Sequence, residues 1–344
     1  MAFLSILERI VLCRHLSAEE AEEAMNLVLE GGATTAQLAS FLVALRMKGE
    51  TAEEVLGFAR AMRGHVVRVE CGTPAGRLLD TCGTGGDGAR TINVSTLAAL
   101  VAAGAGASVA KHGNRSISSR CGSADLLEGL GVRILTQPVA IAACLGETGF
   151  AFLFAPALHP AMKHAQPARL ELKLRTVFNY LGPLTNPAGA GAQLVGAPSS
   201  PAAELMAAAL ARLGLERGFV VHGCDGMDEI TTTGETLVYE ISDSGIEKRR
   251  IAPEDFGVPR TPLDQLRLSA PEENVAVARQ VLAGRRGPHR DIVLVNASAA
   301  LVAAGLAKDF LVGVRMAAES IDQGKAMATL ENVIRFTQSA GDTP

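Results

Sequence analysis

The sequence has 344 residues, of which 48% are hydrophobic and 20% charged, a balance typical of soluble globular proteins with one or two domains. The net charge of −4 at pH 7 excludes a general electrostatic attraction to nucleic acid or to an anionic membrane. Aromatic residues make up only 4% and Trp is absent, which argues against a base-stacking platform for single-stranded nucleic acid.

The apolar segments and the cysteines predict neither secretion nor membrane insertion. Glu8 and Arg9 interrupt the N-terminal apolar run, so it lacks the order of a signal peptide. The uncharged segment 91–110 is weakly hydrophobic and contains Asn93, which favours a buried helix and strand over a membrane span. The six cysteines form no C-x-x-C pair and are interpreted as thiols in a reducing compartment. We therefore expect a cytoplasmic protein that binds neither membrane nor nucleic acid.

The N-terminal part, up to about residue 65, is predicted to form several short amphipathic helices. Capping-box pairs mark three helix starts: Ser17 with Glu20, Thr34 with Gln37, and Thr51 with Glu54. The apolar faces of these helices exceed what so few helices can cover. The unit must therefore pack on something else, for which a second subunit is one candidate.

From Arg77 onward, short apolar runs alternate with Ala-rich helical stretches. The predicted strands are 78–82, 108–110, 132–135, 150–154, 194–196 and 219–222, with helices starting near Thr96, Ala124, Pro138 and Pro201. This alternation predicts an α/β fold with a mostly parallel sheet flanked by helices. Functional loops then lie at the carboxyl ends of the strands.

The segment 159–186 interrupts this alternation because it reads as helices that end in a Gly-Pro-rich turn. We expect it to cross to the N-terminal helices and to return. The prediction is a small discontinuous all-helical domain, 1–70 completed by about 166–188, and a large α/β domain, 71–165 and 189–344. Residues 236–270 indicate an antiparallel edge, and the tail from about 272 is predicted to be helical.

Three polar clusters, 83–87, 93–96 and 111–119, lie close together in the chain and are suited to a ligand with more than one phosphate group. The first is glycine-rich but matches neither a dinucleotide fingerprint nor a P-loop; the alternative is a plain glycine turn. The second is typical of a helix N-terminus, where ordinary capping by Asn93 or Ser95 is the alternative. The third concentrates cations and hydroxyls, and its alternative is an exposed polar loop.

Asp228 and Glu229 follow a predicted strand and would repel a phosphate ligand unless a cation intervened. Mg²⁺ is the natural cation, and Ser95 could add a hydroxyl ligand. The alternative is an acidic helix N-terminus.

Arg169 and Arg175, in the crossing segment, could bind a carboxylate through two hydrogen bonds, or they could be surface arginines.

In combination and order, these motifs resemble those of the anthranilate phosphoribosyltransferases, a family of nucleoside phosphorylase-like phosphoribosyltransferases. The resemblance covers nearly the full length and is carried by 83–87, 93–96, 111–115, 122–125, 159–163, 179–187 and 228–229. It implies transfer of the phosphoribosyl group from 5-phosphoribosyl 1-pyrophosphate (PRPP) to the amine of anthranilate, releasing pyrophosphate, in tryptophan biosynthesis. It also implies Mg²⁺ and a homodimer joined through the helical domain. Because positioning and electrostatics carry this chemistry, no single catalytic residue is assigned.

The resemblance assigns site residues by position. The implied PRPP-binding residues are Gly83, Gly86, Asp87, Thr91, Asn93, Val94, Ser95, Thr96, Lys111, His112, Gly113, Asn114, Arg115, Ser116, Ile117, Ser118, Ser119 and Ser123. The implied anthranilate-binding residues are Gly83, Asn114 and Arg169, and the implied metal ligands are Ser95, Asp228 and Glu229. Lys173 departs from the pattern that the resemblance implies, because many relatives have Gly there.

Two other functions compete with this interpretation. A pyrimidine-nucleoside phosphorylase shares the fold, but the Lys-His-Gly-Asn-Arg order at 111–115 and the adjacent carboxylates favour a pyrophosphate substrate with a metal. A non-catalytic nucleic-acid-binding relative would lose the carboxylate pair and gain basic surface, which the net charge of −4 disfavours.

Overall fold

A mixed sheet forms the centre of the fold. The computed structural model describes residues 3–73, 78–85, 88–115, 121–268, 270 and 272–339. Its strands are β1 (Leu78–Gly83), β2 (Ser108–Gly113), β3 (Phe150–Phe154), β4 (Ala192–Gly196), β5 (Arg217–Gly223), β6 (Thr236–Ser242) and β7 (Gly245–Ile251). In these ranges the order is β3-β2-β1-β4-β5-β6-β7, parallel from β3 to β5 and antiparallel for β6 and β7. The predicted sheet and its antiparallel edge are confirmed.

Among the described residues, four helices precede the sheet: α1 (Phe3–Val11), α2 (Ala18–Leu29), α3 (Thr35–Lys48) and α4 (Ala52–Gly64). All three predicted capping boxes form, each with both of its reciprocal hydrogen bonds, at Ser17, Thr34 and Thr51. These caps satisfy backbone N–H groups that the first helical turn leaves unpaired. Local sequence therefore fixes where α2, α3 and α4 begin.

The later helices cover the sheet or cross to the N-terminal unit. They are α5 (Val94–Gly104), α6 (Ser123–Leu130), α7 (Pro138–Thr148), α8 (Ala155–Leu158), α9 (Gln166–Leu172), α10 (Phe178–Leu184), α11 (Ser200–Arg212), α12 (Glu273–Leu282), α13 (Pro288–Ala303), α14 (Phe310–Asp322) and α15 (Lys325–Ser339). Short 3-10 helices lie at Pro160–His164, Pro253–Phe256 and Leu263–Gln265. None of the described helices combines the length and apolar character that a membrane crossing requires.

The two faces of the sheet bury two different hydrophobic cores. Neighbouring strand residues point to opposite faces, so Leu194 joins one core and Val195 the other. The first core contains α5, α13 and α15, and the second contains α1–α4, α10 and α11. In the second, α9 packs against α3, and α10 against α4. The segment 159–186 therefore crosses to the N-terminal helices, while the exact domain boundaries stay a prediction.

Two local predictions were wrong. Residues 132–135 form no strand, because Val132 N donates to Leu127 O and closes the end of α6 after Gly131, which has a φ of 105°. The apolar Val132 side chain is buried in that closure. The strand predicted at 108–110 continues to Gly113, so Lys111 and His112 are strand residues and not loop residues.

Candidate functional site

The candidate site lies where the chain path changes direction in the sheet. From β1 the chain runs through β2 to β3 on one side, and then returns to β4 on the other side of β1. Ligands of open α/β sheets bind outside the carboxyl ends of the strands at such a point. Gly83 and Gly196, the last residues of β1 and β4, are register partners there.

Asp228 packs directly over both glycines. A Cβ added to Gly83 would lie 2.7 Å from Asp228 Oδ2, and one added to Gly196 would lie 1.6 Å from the Asp228 carbonyl oxygen. Only glycine permits this approach of the backbone that follows β5. The two strand ends therefore place the carboxylate at the switch point.

The adjacent carboxylates diverge toward two backbone donors. Gly85 N donates to Asp228 Oδ2 at 2.6 Å, and Ser95 N donates to Glu229 Oε1 at 3.2 Å. Ser95 lies in the first turn of α5. The alternative of an acidic helix N-terminus is excluded, since residues 224–235 are not helical. Asp228 and Glu229 thus connect the glycine loop, of which Gly83 to Gly85 are described, to the N-terminus of α5.

The start of α5 is not capped by its own side chains. Asn93 makes no side-chain cap hydrogen bond, and its Nδ2 donates to the carbonyl of Cys121 at 3.3 Å. Asn274 of α12 pairs with the side-chain oxygen of Asn93. Nearby, Thr91 Oγ1 donates to Ile92 O, Val94 is buried, and Thr96 Oγ1 is buried with no partner in the described part. The N–H groups of Val94, Ser95 and Thr96 already donate to Ile92 O, Glu229 Oε1 and Asn93 O. The positive end of the helix dipole and the unpaired Thr96 hydroxyl are therefore what this turn offers an anion.

Lys111 is buried under the site and does not extend from a loop. Its Nζ donates to Thr81 O and, at 3.3 Å, to Ser95 Oγ. Burial lowers the pKa of Lys111 and raises the pKa of Asp80, which opposes the attraction between the two charges. Asp80 accepts from His112 N at 3.0 Å and from Asn186 Nδ2 at 2.8 Å. This buried network holds the carboxyl ends of β1 and β2 in place.

His112 and His159 form a buried pair beside this network. His112 Nδ1 lies 3.1 Å from Gly182 O, and the two Nε2 atoms lie 3.2 Å apart. The Gly182 carbonyl can only accept, so His112 donates from Nδ1 and its Nε2 accepts from His159. Burial lowers the pKa of His112 to about 3 and that of His159 to about 4. Both rings are neutral in the folded protein.

Because the pKa values of His112 and His159 are lowered in the folded state, the protein is expected to lose stability on mild acidification. The unfolded histidines titrate near 6.5, so between that pH and about 4 the unfolded chain binds more protons than the folded one. Stability is fully present above pH 6.5 and falls as the pH drops. Urea unfolding midpoints at pH 7 and pH 5 measure this, and His159→Gln is expected to flatten the slope. The same flattening in His164→Gln, at an exposed histidine, would contradict the assignment.

The residues after β2 lie around the start of α6. Arg115 pairs with Asp125 and Glu128, and its guanidinium lies over the ring of Phe154. Ala124 N donates to Asn114 O at 3.3 Å. A Cβ on Gly113 would lie 3.2 Å from the Cβ of Ser123, so β2 and α6 meet closely here. In this structure Arg115 therefore faces acidic side chains of α6.

Arg169, on α9, is mostly buried and lies over the ring of Phe178 at 5.4 Å. Burial lowers its pKa. Gly86, Asp87, Ser116, Ile117, Ser118 and Ser119, all predicted to bind PRPP, lie outside the described residues.

Comparisons with known proteins identify the family. A glycosyl transferase family helical bundle domain matches residues 4–66, and a glycosyl transferase family a/b domain matches residues 75–327. An anthranilate phosphoribosyltransferase of Solibacter usitatus is 58% identical over 98% of this chain and 100% of its own length. The chain belongs to the anthranilate phosphoribosyltransferase family.

Solved structures of the anthranilate phosphoribosyltransferase family share the fold. The enzyme of Thermus thermophilus is 45% identical with a TM-score of 0.91, covering 98% of this chain and 100% of its own. That of Saccharomyces cerevisiae in complex with PRPP and Mg is 30% identical with a TM-score of 0.89, over 98% of each chain. The same yeast enzyme in complex with 4-fluoroanthranilate is 29% identical with a TM-score of 0.87, over 98% of each chain.

Lys173, where the resemblance to the family implies glycine, takes a left-handed backbone conformation. It ends α9 with φ 49° and ψ 28°, in the left-handed region. Side chains cost energy there and glycine does not, so Lys173→Gly is expected to raise the free energy of unfolding by about 0.5–1 kcal/mol. Urea denaturation measures this. An equal gain in Lys173→Ala, which keeps a Cβ, would show that the backbone conformation is not the cause.

Sequence reasoning missed several residues that shape the site of this anthranilate phosphoribosyltransferase family member. They are Asp80 and Asn186, which belong to the buried polar network, Asn274, which pairs with Asn93, and Gly196, on which Asp228 packs. A polar Asp in an otherwise apolar strand was an available signal for Asp80. Nothing local to Gly196 indicated that a distant loop would contact it.

Proposed function

We propose that the protein transfers the phosphoribosyl group from PRPP to the amine of anthranilate and releases pyrophosphate, a step of tryptophan biosynthesis. The observation that supports this proposal most directly is the arrangement of two adjacent carboxylates. Asp228 accepts a hydrogen bond from the glycine loop, and Glu229 accepts one from the start of α5. With Mg²⁺ between these carboxylates and the ligand, one anion with two separated phosphate groups fits such a site. The names of the relatives support the same reaction.

We assign the groups of PRPP to two places in the site. The glycine loop, with Gly83 and Gly85, receives the ribose and the diphosphate. The first turn of α5, from Asn93 to Thr96, receives the 5-phosphate at the positive end of the helix dipole, with the buried Thr96 hydroxyl as a further donor. Beneath the site, Lys111 Nζ donates hydrogen bonds to Ser95 Oγ and Thr81 O and so fixes their positions.

The donor set at the switch point fits Mg²⁺. Two carboxylates, Asp228 and Glu229, and the hydroxyl of Ser95 are hard oxygen ligands, which this ion prefers. Octahedral Mg²⁺ would take its other ligands from substrate oxygens and water. When bound, the ion stabilises the negative charge that grows on the leaving pyrophosphate.

The protein's own groups position the reactants and balance charge. The bond from C1 of the ribose to pyrophosphate breaks through an oxocarbenium-like state, and the amine of anthranilate forms the new bond to C1. An aromatic amine is neutral at pH 7, so no strong base has to unmask it. Placement and preorganised donors therefore supply most of the acceleration.

Arg169 is proposed to bind the carboxylate of anthranilate, together with Gly83 and Asn114. Its buried guanidinium has a ring contact with Phe178, and no described carboxylate pairs with it, so a substrate anion is a suitable partner. Arg169→Ala is expected to raise the KM for anthranilate by about 10-fold or more, with a smaller rise for PRPP. Steady-state kinetics with each substrate varied measures the two constants. A larger effect on PRPP would place Arg169 elsewhere.

The assembly and location are proposed on separate grounds. We propose a homodimer joined through the helical domain, where Leu4, Val11, Leu12 and Met47 are exposed large apolar side chains.

We propose a cytoplasmic location, in line with six free thiols, and no nucleic-acid partner, in line with the net charge of −4.

The function is tested by the loss of anthranilate fluorescence in the presence of PRPP and Mg²⁺. The competing pyrimidine-nucleoside phosphorylase activity is assayed in parallel with thymidine or uridine and phosphate. Fluorescence loss without phosphorolysis is the expected result. Robust phosphorolysis without loss of anthranilate would overturn the proposal.

A further inference from the structure

Arg175 connects the helical part of the protein to the glycine loop. It lies between α9 and α10, and its Nη2 donates to the carbonyl of Gly85. Its own carbonyl accepts a hydrogen bond from the guanidinium of Arg46, in the last turn of α3. The helices therefore fix the main chain of Arg175, and its side chain holds the loop.

Gly85 is held from both of its backbone groups. Arg175 binds its carbonyl, and Asp228 Oδ2 accepts from its N–H at 2.6 Å. Gly85 has a φ of 67°, so its peptide groups take an orientation that other residues adopt at a cost. The orientation of Asp228 and that of Arg175 are thus set through one residue of the site.

The second terminal nitrogen of Arg175, Nη1, is buried and forms no hydrogen bond in the described part of the chain. A buried donor without an acceptor destabilises the folded protein, and a hydrogen bond to an anionic ligand would remove that cost.

The position of Arg175 distinguishes between the two substrate anions. Arg169, the proposed partner of the anthranilate carboxylate, lies over Phe178, whereas Arg175 binds the same loop residue as Asp228. We infer that Arg175 is a diphosphate-binding residue: Nη2 anchors Gly85, and Nη1 donates to a phosphate oxygen of the diphosphate. This inference rests on the proposed function. A planar guanidinium suits such a double role because its donors lie in a fixed fork.

The test is the affinity of inorganic pyrophosphate in the presence of Mg²⁺, measured by calorimetry on the full-length protein. Arg175→Gln is expected to weaken binding by about 10-fold to 100-fold, the loss typical of a charge-assisted hydrogen bond. In kinetics it is expected to raise the KM for PRPP and to leave the KM for anthranilate nearly unchanged. Arg212→Gln, which removes an exposed arginine paired with Glu53, is the matched control and is expected to change neither.

Arg175→Lys keeps the charge but loses the fork, and it carries the test if Arg175→Gln does not fold. It is expected to weaken pyrophosphate by about 10-fold. Unchanged pyrophosphate affinity in a folded variant, or a selective rise in the anthranilate KM, would overturn the inference. Wild-type turnover is measured first. Its absence would contradict the proposed function, whereas turnover with unchanged variants would contradict only the role of Arg175.

Discussion

Replacing both carboxylates, with Asp228→Asn and Glu229→Gln, is expected to lower kcat/KM by about 10²- to 10³-fold at saturating Mg²⁺. The amide oxygens can still accept from Gly85 N and Ser95 N, so the local hydrogen bonds remain. What is lost is the negative charge that would hold Mg²⁺ against the diphosphate. Initial rates over a range of Mg²⁺ concentrations measure the effect.

A matched control separates charge at the site from charge elsewhere. Asp243→Asn with Glu247→Gln removes two exposed carboxylates from the hairpin of β6 and β7. This variant has the same net charge as the first and is expected to keep wild-type rates. Near-wild-type rates at low Mg²⁺ in the Asp228 and Glu229 variant would refute the metal role.

Gly196→Ala is expected to lower the free energy of unfolding by about 3 kcal/mol and to abolish most activity. The new methyl group would lie 1.6 Å from the Asp228 carbonyl oxygen, which is a main-chain atom and cannot rotate away. Either β4 or the loop that carries Asp228 must move. Urea denaturation and steady-state kinetics measure the two effects.

Gly146→Ala is the control for this substitution. Gly146 lies in α7, and a Cβ there would meet no atom within 4 Å. Alanine is the better helix former, so this variant is expected to gain about 0.5–1 kcal/mol of stability. If Gly196→Ala is as stable and active as the wild type, Asp228 does not pack on β4 as the structure places it.

Local signals predicted most of the fold. Each capping box, at Ser17, Thr34 and Thr51, joins two residues that are three positions apart. The sequence pattern alone therefore predicts the structure of these helix starts. The strands followed from apolar runs between helices, except at 132–135. There an apolar residue after Gly131 packs against the end of α6 and has no strand to pair with.

The site was less predictable because its geometry depends on contacts between distant segments. The resemblance indicated Lys111 as a site residue, but not that it lies buried in β2 and acts on Thr81 and Ser95. The sequence suggested that Arg175 could bind a carboxylate, whereas in the structure its side chain donates a hydrogen bond to the carbonyl of Gly85. A short motif shows which types of residue are present, whereas the register of the sheet determines which of these residues are in contact.

The most direct test of the central claim measures two quantities in one reaction containing the protein, PRPP, anthranilate and Mg²⁺. Anthranilate is followed by its fluorescence and released pyrophosphate by a coupled assay. The proposed transfer consumes one anthranilate for each pyrophosphate released, and both signals stop when Mg²⁺ is chelated. Pyrophosphate release without loss of anthranilate, or no release at all, would contradict the phosphoribosyl transfer.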